Sequence, residues 1–302
     1  MQSSTYRERF KTAGAAPIGP RVDGRLRLRF EAERSGKRTI LAGCEQHLPM
    51  RIIRAFQLDD GGALVHLHNV SGGVLGGDRL EVAVEAGAKA VAQITSTGAT
   101  RIYRSRKDVA PAELKLFVNV ADDGLVEYLP DPLIPFAGSR CRQETRIELG
   151  ANAGLFWWET VSPGREACRE QFAYELLQLK TTIMALGYPI ALEHNRIEPA
   201  QRPLLSLARL GSYRYFSTFY ICHSGIQPRR WLELEKLLEQ LGQNLSRSSQ
   251  IIWGVSTLRR HGLVVRALSR GGWDITAHLP KFWNLARRYL YGRTAALPRK
   301  LY

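Results

Sequence analysis

The sequence contains none of the common catalytic signatures. Neither Gly-x-Ser-x-Gly nor His-Glu-x-x-His occurs in its 302 residues, and no paired-carboxylate motif is visible. The Gly-Gly pairs at 72–73 and 76–77 do not form a nucleotide-binding loop, because Gly-x-Gly-x-x-Gly is absent and no Lys-Ser or Lys-Thr follows them. These absences favour a binding or scaffold protein over an enzyme.

Long apolar runs are also missing. No segment approaches the ~18 consecutive apolar residues of a membrane-spanning helix, and the polar N-terminus lacks the pattern of a signal peptide. The four cysteines, Cys44, Cys141, Cys168 and Cys222, are widely spaced and form no Cys-x-x-Cys pair. We therefore expect a cytoplasmic protein without a membrane span, in which the cysteines are buried free thiols.

Histidines do not form a recognisable metal site. Only His66 and His68 are spaced so that their side chains share one face of a predicted strand. A closed zinc or nickel site needs about four suitable ligands, so we interpret both histidines as ordinary strand residues. No tightly held metal is predicted.

Several acidic residues lie in or beside apolar strands, namely Asp78, Glu127, Glu144 and Glu159. Taken singly, each is interpreted as a turn cap or as a paired acid in the core. Taken together, they are also compatible with a polar interior through which a cation passes without being held.

The net charge is strongly positive and unevenly distributed. The formal charge is +15, and residues 196–302 contain 15 Arg and 3 Lys against 4 Glu and 1 Asp. Nearly all of the excess therefore lies in the C-terminal third. A basic region of this kind indicates an acidic partner, such as a nucleic acid, an anionic membrane or an acidic protein, or else a solvated basic face without a partner.

Short runs with alternating hydrophobicity dominate the first two thirds of the chain. They are bounded by turn residues and fall at 25–34, 63–68, 78–85, 90–95, 114–120 and 143–149. This pattern predicts a mainly β fold of stacked mixed sheets, sandwich-like or β-helix-like. We interpret residues 1–24 as a loose N-terminal arm and residues 25–302 as a single β-rich domain, and we see no internal repeat.

The C-terminal third is predicted to contain about two helices, which form an appendage to the β domain. Residues 231–245 carry an apolar stripe at helical spacing, and a terminal helix is expected from Pro280 to just before Gly292. Residues 251–257 and 263–269 are predicted to be a strand pair. Residues 198–230 are expected to be irregular.

A set of motifs resembles the UreD family of urease accessory proteins, which is also called UreH. The matching positions are Gly72, Gly73, Gly76, Gly77, Asp78, Tyr103, Trp158, Gly164 and Arg165. The resemblance runs in order over about residues 25–300, although residues 198–250 match poorly. Thr97 also stands where the family commonly has proline.

The resemblance implies a non-catalytic scaffold, or chaperone. Such a protein binds apo-urease and recruits UreF and the GTPase UreG for GTP-dependent nickel insertion, and a UreE-type nickel carrier is involved indirectly. It implies no permanently bound cofactor, only nickel in transit, and no nucleic-acid or membrane partner. It also implies an internal path for the ion, for which Asp78, Glu127 and Glu159 are the candidate residues.

Two further expectations concern the C-terminal third. Its basic surface fits docking to acidic proteins, and its two helices are expected to offer apolar faces to a partner. The alternative from another class is a nucleic-acid-binding protein that uses the arginine-rich third, which would bind DNA or RNA with strong salt dependence.

Overall fold

The computed structural model describes residues 21–34 and 36–294 of the chain. Within these residues the chain is mainly β, with two helices in the C-terminal third. The strands are β1 Asp23–Ala32, β2 Thr39–His47, β3 Met50–Arg51, β4 Ala55–Gln57, β5 Ala63–Asn69, β6 Arg79–Ala86, β7 Val91–Ser96, β8 Thr100–Ile102, β9 Ala112–Val120, β10 Leu125–Tyr128, β11 Leu133–Pro135, β12 Arg140–Leu149, β13 Gly154–Val161, β14 Leu176–Ala185, β15 Tyr188–Ile197, β16 Tyr215–His223, β17 Ile251–Thr257 and β18 Gly262–Ser269. The helices are α1 Pro228–Leu245 and α2 Gly272–Tyr291, and Glu166–Cys168 form one 3₁₀ turn.

The strands form two stacked sheets. The first sheet has the order β15-β14-β12-β9-β6-β1-β2, and the main path of the second is β17-β18-β16-β13-β10-β7-β5-β3. The central strands β1, β6, β9, β12 and β14 of the first sheet are parallel, and so are β5, β7, β10 and β13 of the second. From β5 to β14 the chain alternates between the sheets, like the coils of a β-helix. The predicted stacked, mixed and β-helix-like architecture is confirmed.

Short turns lead from the first sheet back to the second. The same backbone conformation recurs in three of these turns, one in each successive coil of the chain through the two sheets. Lys89, Asp123 and Asn152 occupy the same position in three successive turns, two residues before the paired positions Val91, Leu125 and Gly154. All three have positive φ values of 62°, 58° and 52°. The expectation of no internal repeat is therefore wrong at the structural level. The repeat escapes detection in the sequence because the residues are unequally spaced and only the backbone conformation recurs.

The second sheet is buried on both faces. One face packs against the first sheet, with side chains such as Trp157 and Val126 in that core. The other face packs against the two helices through Phe156 and Phe219. This sandwiching explains why β13 reads as an almost continuous apolar run instead of alternating.

The helices bury their apolar stripes against the second sheet. Trp231 and Leu234 of α1 and Phe282 and Trp283 of α2 all lie in this second core. The expectation that the helices offer these apolar faces to a partner is therefore wrong, because the faces already cover the sheet. Trp273, at the start of α2, is by contrast 81% exposed.

The outer face of the first sheet has no covering helices and is open to water, which is unusual for parallel strands. Its exposed positions carry rows of mostly alternating charge across the strands. One row is His47, Arg25, Glu81, Lys115, Glu144, Lys180 and His194, and the next is Asp23, Arg79, Glu113, Arg142, Gln178 and Arg196. Ion pairs within these rows include Arg79 with Glu113 at 3.3 Å and Lys180 with Glu144 at 3.4 Å. The charges keep this face soluble and supply cross-strand attraction.

Some predicted boundaries need correction. β1 begins at Asp23, inside the stretch assigned to the arm, while residues 1–20 of that arm lie outside the described residues. Residues 198–230 are not all irregular, because β16 lies within them. This strand pairs with β13 and β18 along its two edges. Its two faces pack into different cores, Tyr220 and Cys222 into the first and Phe219 and Ile221 into the second, so its sequence shows no alternation.

The terminal helix is longer than predicted. α2 begins at Gly272, and Pro280 lies inside it rather than at its start. Tertiary packing of Ile275 and Leu279 in the second core holds the extra turns in place. The predicted stop is confirmed, since Gly292 closes the helix with φ 66°.

The cysteines divide into two kinds. Cys141 and Cys222 are buried as expected, but Cys44 and Cys168 are exposed. Cys44 lies on the edge strand β2 and Cys168 in the 3₁₀ turn, where no second layer covers them.

No helix among residues 21–34 and 36–294 is long and apolar enough to cross a membrane.

Reversing one charge in the outer rows tests their contribution. Glu144→Lys turns two opposite-charge neighbours, Lys115 and Lys180, into like-charge neighbours. We expect the free energy of unfolding to fall by about 1 kcal/mol at low salt, and less in ~1 M NaCl because salt screens exposed charges. Urea unfolding measures both values. The matched control is Glu148→Lys, whose cross-strand neighbours are the uncharged Asn119 and Met184, and equal losses in the two variants would contradict the idea.

Candidate functional site

A cavity of about 340 Å³ lies between the two sheets. Leu80, Val82 and Leu116 of the first sheet line it on one side, and Tyr128 and Trp157 of the second sheet line it on the other. It opens at the edge where the longer loops leave the second sheet, so the cavity is a gap in the inter-sheet core that reaches the loop side of the molecule.

Glu159 is the carboxylate inside this cavity. It shares the inward face of β13 with Trp157, and its Oε1 accepts a hydrogen bond from Gln143 Nε2 on β12. The pKa of Glu159 is raised to about 7, chiefly by burial; the hydrogen bond from Gln143 lowers it and the charge of nearby Glu193 raises it. The group therefore exchanges its proton near neutral pH.

A second acid nearby has its charge compensated. Glu193 on β15 accepts a hydrogen bond from the Tyr220 hydroxyl at 2.6 Å and is held by both Arg266 guanidinium nitrogens at 3.0 and 3.1 Å. Burial opposes ionisation, but the bonds from Tyr220, Asn195 and Arg266 outweigh it and lower the pKa of Glu193. Glu193 is thus a fixed negative charge beside Glu159, whose own charge varies with pH.

Other polar groups face the same space. The Thr145 hydroxyl on β12 is buried and has no hydrogen-bond partner among the described residues, and it lines the cavity. Cys141, two residues before Gln143, is also buried, and burial together with Glu159 raises the pKa of its thiol to about 12. Cys141 is therefore a neutral thiol at pH 7, and the oxygen atoms of Glu159, Gln143 and Thr145 are the better cation donors.

The mouth of the cavity is built from the glycine-rich motif and the Ser/Thr-rich turn. Gly72 and Gly73, residues 96–101 and Asp131 line it. The Asp131 N–H donates to the Ser96 hydroxyl at 2.8 Å, and the Ser96 hydroxyl donates to the Asp131 carboxylate at 3.2 Å. One carboxylate thus lies at the mouth and one inside the same cavity.

Three of the family-motif residues, Gly73, Tyr103 and Arg165, are linked by packing beside this mouth. The Tyr103 ring lies so close to Gly73 that a Cβ there would be 2.4 Å from it, which excludes larger residues. Tyr103 meets Phe136 edge-on at 5.2 Å, and the Arg165 guanidinium lies 4.2 Å above Phe136. Arg165 is in turn fixed by Glu170. Motifs that are far apart in the sequence therefore shape one edge of the protein.

Asp78 is not in the cavity lining. Its carboxylate accepts backbone N–H bonds from Val22 at 3.2 Å and Leu75 at 2.9 Å. It thereby ties the start of β1 to the turn before β6. This geometry matches the turn-cap interpretation of Asp78.

Glu127 lies on the opposite face of the second sheet. Its side chain points away from the cavity, and its Oε1 accepts bonds from Trp283 Nε1 at 3.0 Å and Arg287 Nε at 2.8 Å. Arg287 is only 4% exposed and also pairs with Asp60. Burial raises the pKa of Glu127, whereas Arg287 and Trp283 favour its charged form. Glu127 thus ties α2 to the sheet.

The three predicted path residues are therefore not brought together, and only Glu159 lines the cavity. Sequence reasoning missed Gln143 and Thr145, although a signal was present, because both are polar residues on the inward face of an otherwise alternating strand. Sequence reasoning could not tell that Glu127 and Glu159 point to opposite faces of the second sheet. Their strands, β10 and β13, are buried on both faces and so show no alternation between polar and apolar residues.

The chain was compared with known protein families and sequences. A family model described as UreD urease accessory protein matches residues 22–301. The chain is 43% identical over 282 residues to the urease accessory protein UreD of Herpetosiphon aurantiacus, which covers 93% of this chain and 97% of that protein. It is 32% identical over 249 residues to UreD of Cenarchaeum symbiosum, covering 80% and 84%, and 24% identical over 273 residues to UreD of Bacillus sp. strain TB-90, covering 90% and 97%.

The fold and the cavity define a class of β protein in which coiled, stacked sheets enclose an internal cavity. Within this class, the matches over nearly the whole length are decisive. The chain belongs to the UreD family of urease accessory proteins, and its place is in urease maturation.

The pKa of Glu159 predicts a pH-dependent stability. Its folded value of about 7 lies above the ordinary 4.5, so its stabilising contribution is fully present below pH 4.5 and is lost as the pH rises through 7. The Glu159→Gln variant does not lose this contribution. We therefore expect its free energy of unfolding, relative to that of the parent, to rise by up to about 3 kcal/mol between pH ~5 and ~8, at roughly 1.4 kcal/mol per pKa unit. Urea unfolding at several pH values measures this. Glu148→Gln, on the exposed outer face, is the control and should show no such gain. If the stability of Glu159→Gln varied with pH in the same way as that of the parent, the prediction would be disproved.

The buried pair on the helix side makes a separate prediction. Arg287→Met leaves the Glu127 carboxylate buried without its cation. We therefore expect the free energy of unfolding to fall by about 3–5 kcal/mol at neutral pH. The loss should shrink at lower pH, because the pKa of Glu127 rises further and the group takes up a proton. Chemical unfolding of this variant is compared with Glu127→Gln/Arg287→Met, which should recover part of the stability. No recovery in the double variant would refute the account.

Proposed function

We propose that this chain is a non-catalytic scaffold of urease maturation, which binds apo-urease and recruits UreF and the GTPase UreG. Nickel insertion in that assembly depends on GTP hydrolysis by UreG. The observation that carries the proposal is the family match over residues 22–301, which spans both sheets, the cavity and both helices. No resident cofactor is part of the proposal, and nickel is the cargo, supplied upstream by a UreE-type carrier.

We further propose that nickel passes through the inter-sheet cavity. Support comes from its oxygen donors, Glu159, Gln143 and Thr145 inside and Asp131 at the mouth. Such a set is too small for a closed site of about four strong ligands, so it suits an ion that must leave again. In this proposal Asp78 and Glu127 shape the protein around the path rather than touch the ion.

The proton equilibrium of Glu159 suits transient binding. A carboxyl with a pKa of about 7 is partly protonated at neutral pH, so an arriving cation displaces a proton and a returning proton helps to release the cation. The fixed negative charge of Glu193 adds a favourable potential without occupying the passage.

The nucleic-acid alternative is not proposed. Several arginines of the basic third are already paired with carboxylates, including Arg196 with Glu198 and Arg266 with Glu193. The positive charge is thus partly neutralised within the protein, and family membership favours protein partners.

The first test is co-purification of the tagged chain with apo-urease and UreF from the same source. We expect a retained complex, since a scaffold must hold its partners stably. Failure to retain soluble, folded partners would overturn the scaffold proposal, and retention of RNA in their place would support the alternative.

The path is tested separately in the same assembly. Glu159→Ala should lower the nickel content and the activity of co-expressed urease on the order of ten-fold at limiting nickel, the size typical of removing a group that supports a metal site. The complex should still form, because Glu159 lies inside the protein. Glu148→Ala on the outer face is the matched control. Normal nickel loading by Glu159→Ala would show that the ion takes another route.

A further inference from the structure

A second cavity, of about 560 Å³, lies at the opposite edge of the sheets from the mouth described above. Three turns meet there: the turn between β1 and β2 at residues 36–39, the turn at Asp60 and Gly61 before β5, and the turn that carries Lys89 between β6 and β7. The end of α2 closes the remaining side. None of the family-motif residues lines this cavity.

Positive charge dominates the lining. The basic side chains are Lys37, Arg38, Lys89, Arg287 and Arg293, and the acidic ones are Asp60 and Asp123. Asp60 is already bound by Arg287, and Arg287 also holds Glu127, so Arg287 is fully engaged by carboxylates. The other basic lining residues, Lys37, Arg38, Lys89 and Arg293, outnumber the remaining acid of the lining, Asp123.

Two of these cations have no carboxylate partner. Neither Arg38 nor Lys89 forms an ion pair with any residue in the described parts of the chain, whereas many other arginines do. Arg293 donates to the Asp60 carbonyl at 3.2 Å, and its charge helps to lower the pKa of the Asp60 carboxylate, which is paired with Arg287. An excess of cations over carboxylates attracts an anionic ligand.

The turns that present these cations are held rigidly. Thr39 N–H donates to the Gly61 carbonyl at 2.8 Å, and Val91 N–H donates to the Thr39 hydroxyl at 2.9 Å. Gly61 has φ 87° and packs so tightly that a Cβ would lie 2.2 Å from the Lys37 carbonyl oxygen. The backbone that carries the basic side chains is therefore ordered before any ligand arrives, which lowers part of the cost of binding.

Tyr291 lies on the α2 side of the same cavity. Its hydroxyl is buried against Gly154, where a Cβ would lie 1.8 Å from it, and so does not reach the cavity space. Burial, together with Glu127, raises the pKa of Tyr291, so the tyrosine is neutral and adds no charge to the lining.

We infer that this cavity binds a small, multiply charged oxyanion of the phosphate class, held by Arg38, Lys89 and Arg293. The chemistry is the same for a free phosphate or pyrophosphate and for the phosphate groups of a nucleotide. The inference is independent of the nickel path, because the two cavities share no lining residue.

The test is titration calorimetry of the full chain with pyrophosphate at constant ionic strength. We expect saturable 1:1 binding that weakens with salt and is at least about ten-fold weaker in Arg38→Glu/Lys89→Glu. Both side chains are exposed, so the variant should fold, which circular dichroism checks. The matched control is Arg259→Glu/Arg270→Glu, which changes the net charge equally at exposed sites outside the cavity and should bind within about two-fold of the parent.

A second probe completes the test. Tighter binding of ATP than of pyrophosphate would identify a nucleotide as the source of the phosphate, and equal or weaker binding would identify the free anion. No saturable binding by the parent, or equal weakening in both double charge reversals, would overturn the inference.

Discussion

The second sheet is shared by two cores, and most other features of the protein depend on this arrangement. One of its faces packs on the first sheet and the other on α1 and α2. Because the sheet is covered on both sides, every polar side chain that points out of its central strands must be compensated or must face a cavity. The helices are therefore part of the fold itself, and their apolar faces are not free surfaces.

Glu127 and Glu159 show the two outcomes of this constraint. Glu127 on the helix side is met by Arg287 and Trp283, and it stabilises the position of α2. Glu159 on the inter-sheet side meets only the neutral amide of Gln143 directly, and its pKa rises to about 7. A compensated acid is a structural element, whereas an acid left beside a cavity is available to a cation.

The two edges of the coiled sheets have different characters. Long loops on one edge carry the glycine and aromatic motifs and surround the mouth beside Gly73 and Tyr103. Short turns on the other edge repeat the same backbone conformation at Lys89, Asp123 and Asn152 and hold the basic cavity. The two edges are distinct because the chain winds between the stacked sheets, and each turn of this winding crosses each edge once.

The sequence alone determined the β character, the alternating strands, the helical stripe of α1 and the family. The first three rest on local periodicity, and the family rests on motifs that occur in order along the chain. It did not determine β16, the first turns of α2 or the exposure of Cys44 and Cys168, because these depend on which layer covers a segment. It also could not assign Glu127 and Glu159 to opposite faces of one sheet. Strands buried on both sides have no polar face from which direction can be read, so only the tertiary structure decided which acid meets an arginine and which meets the cavity.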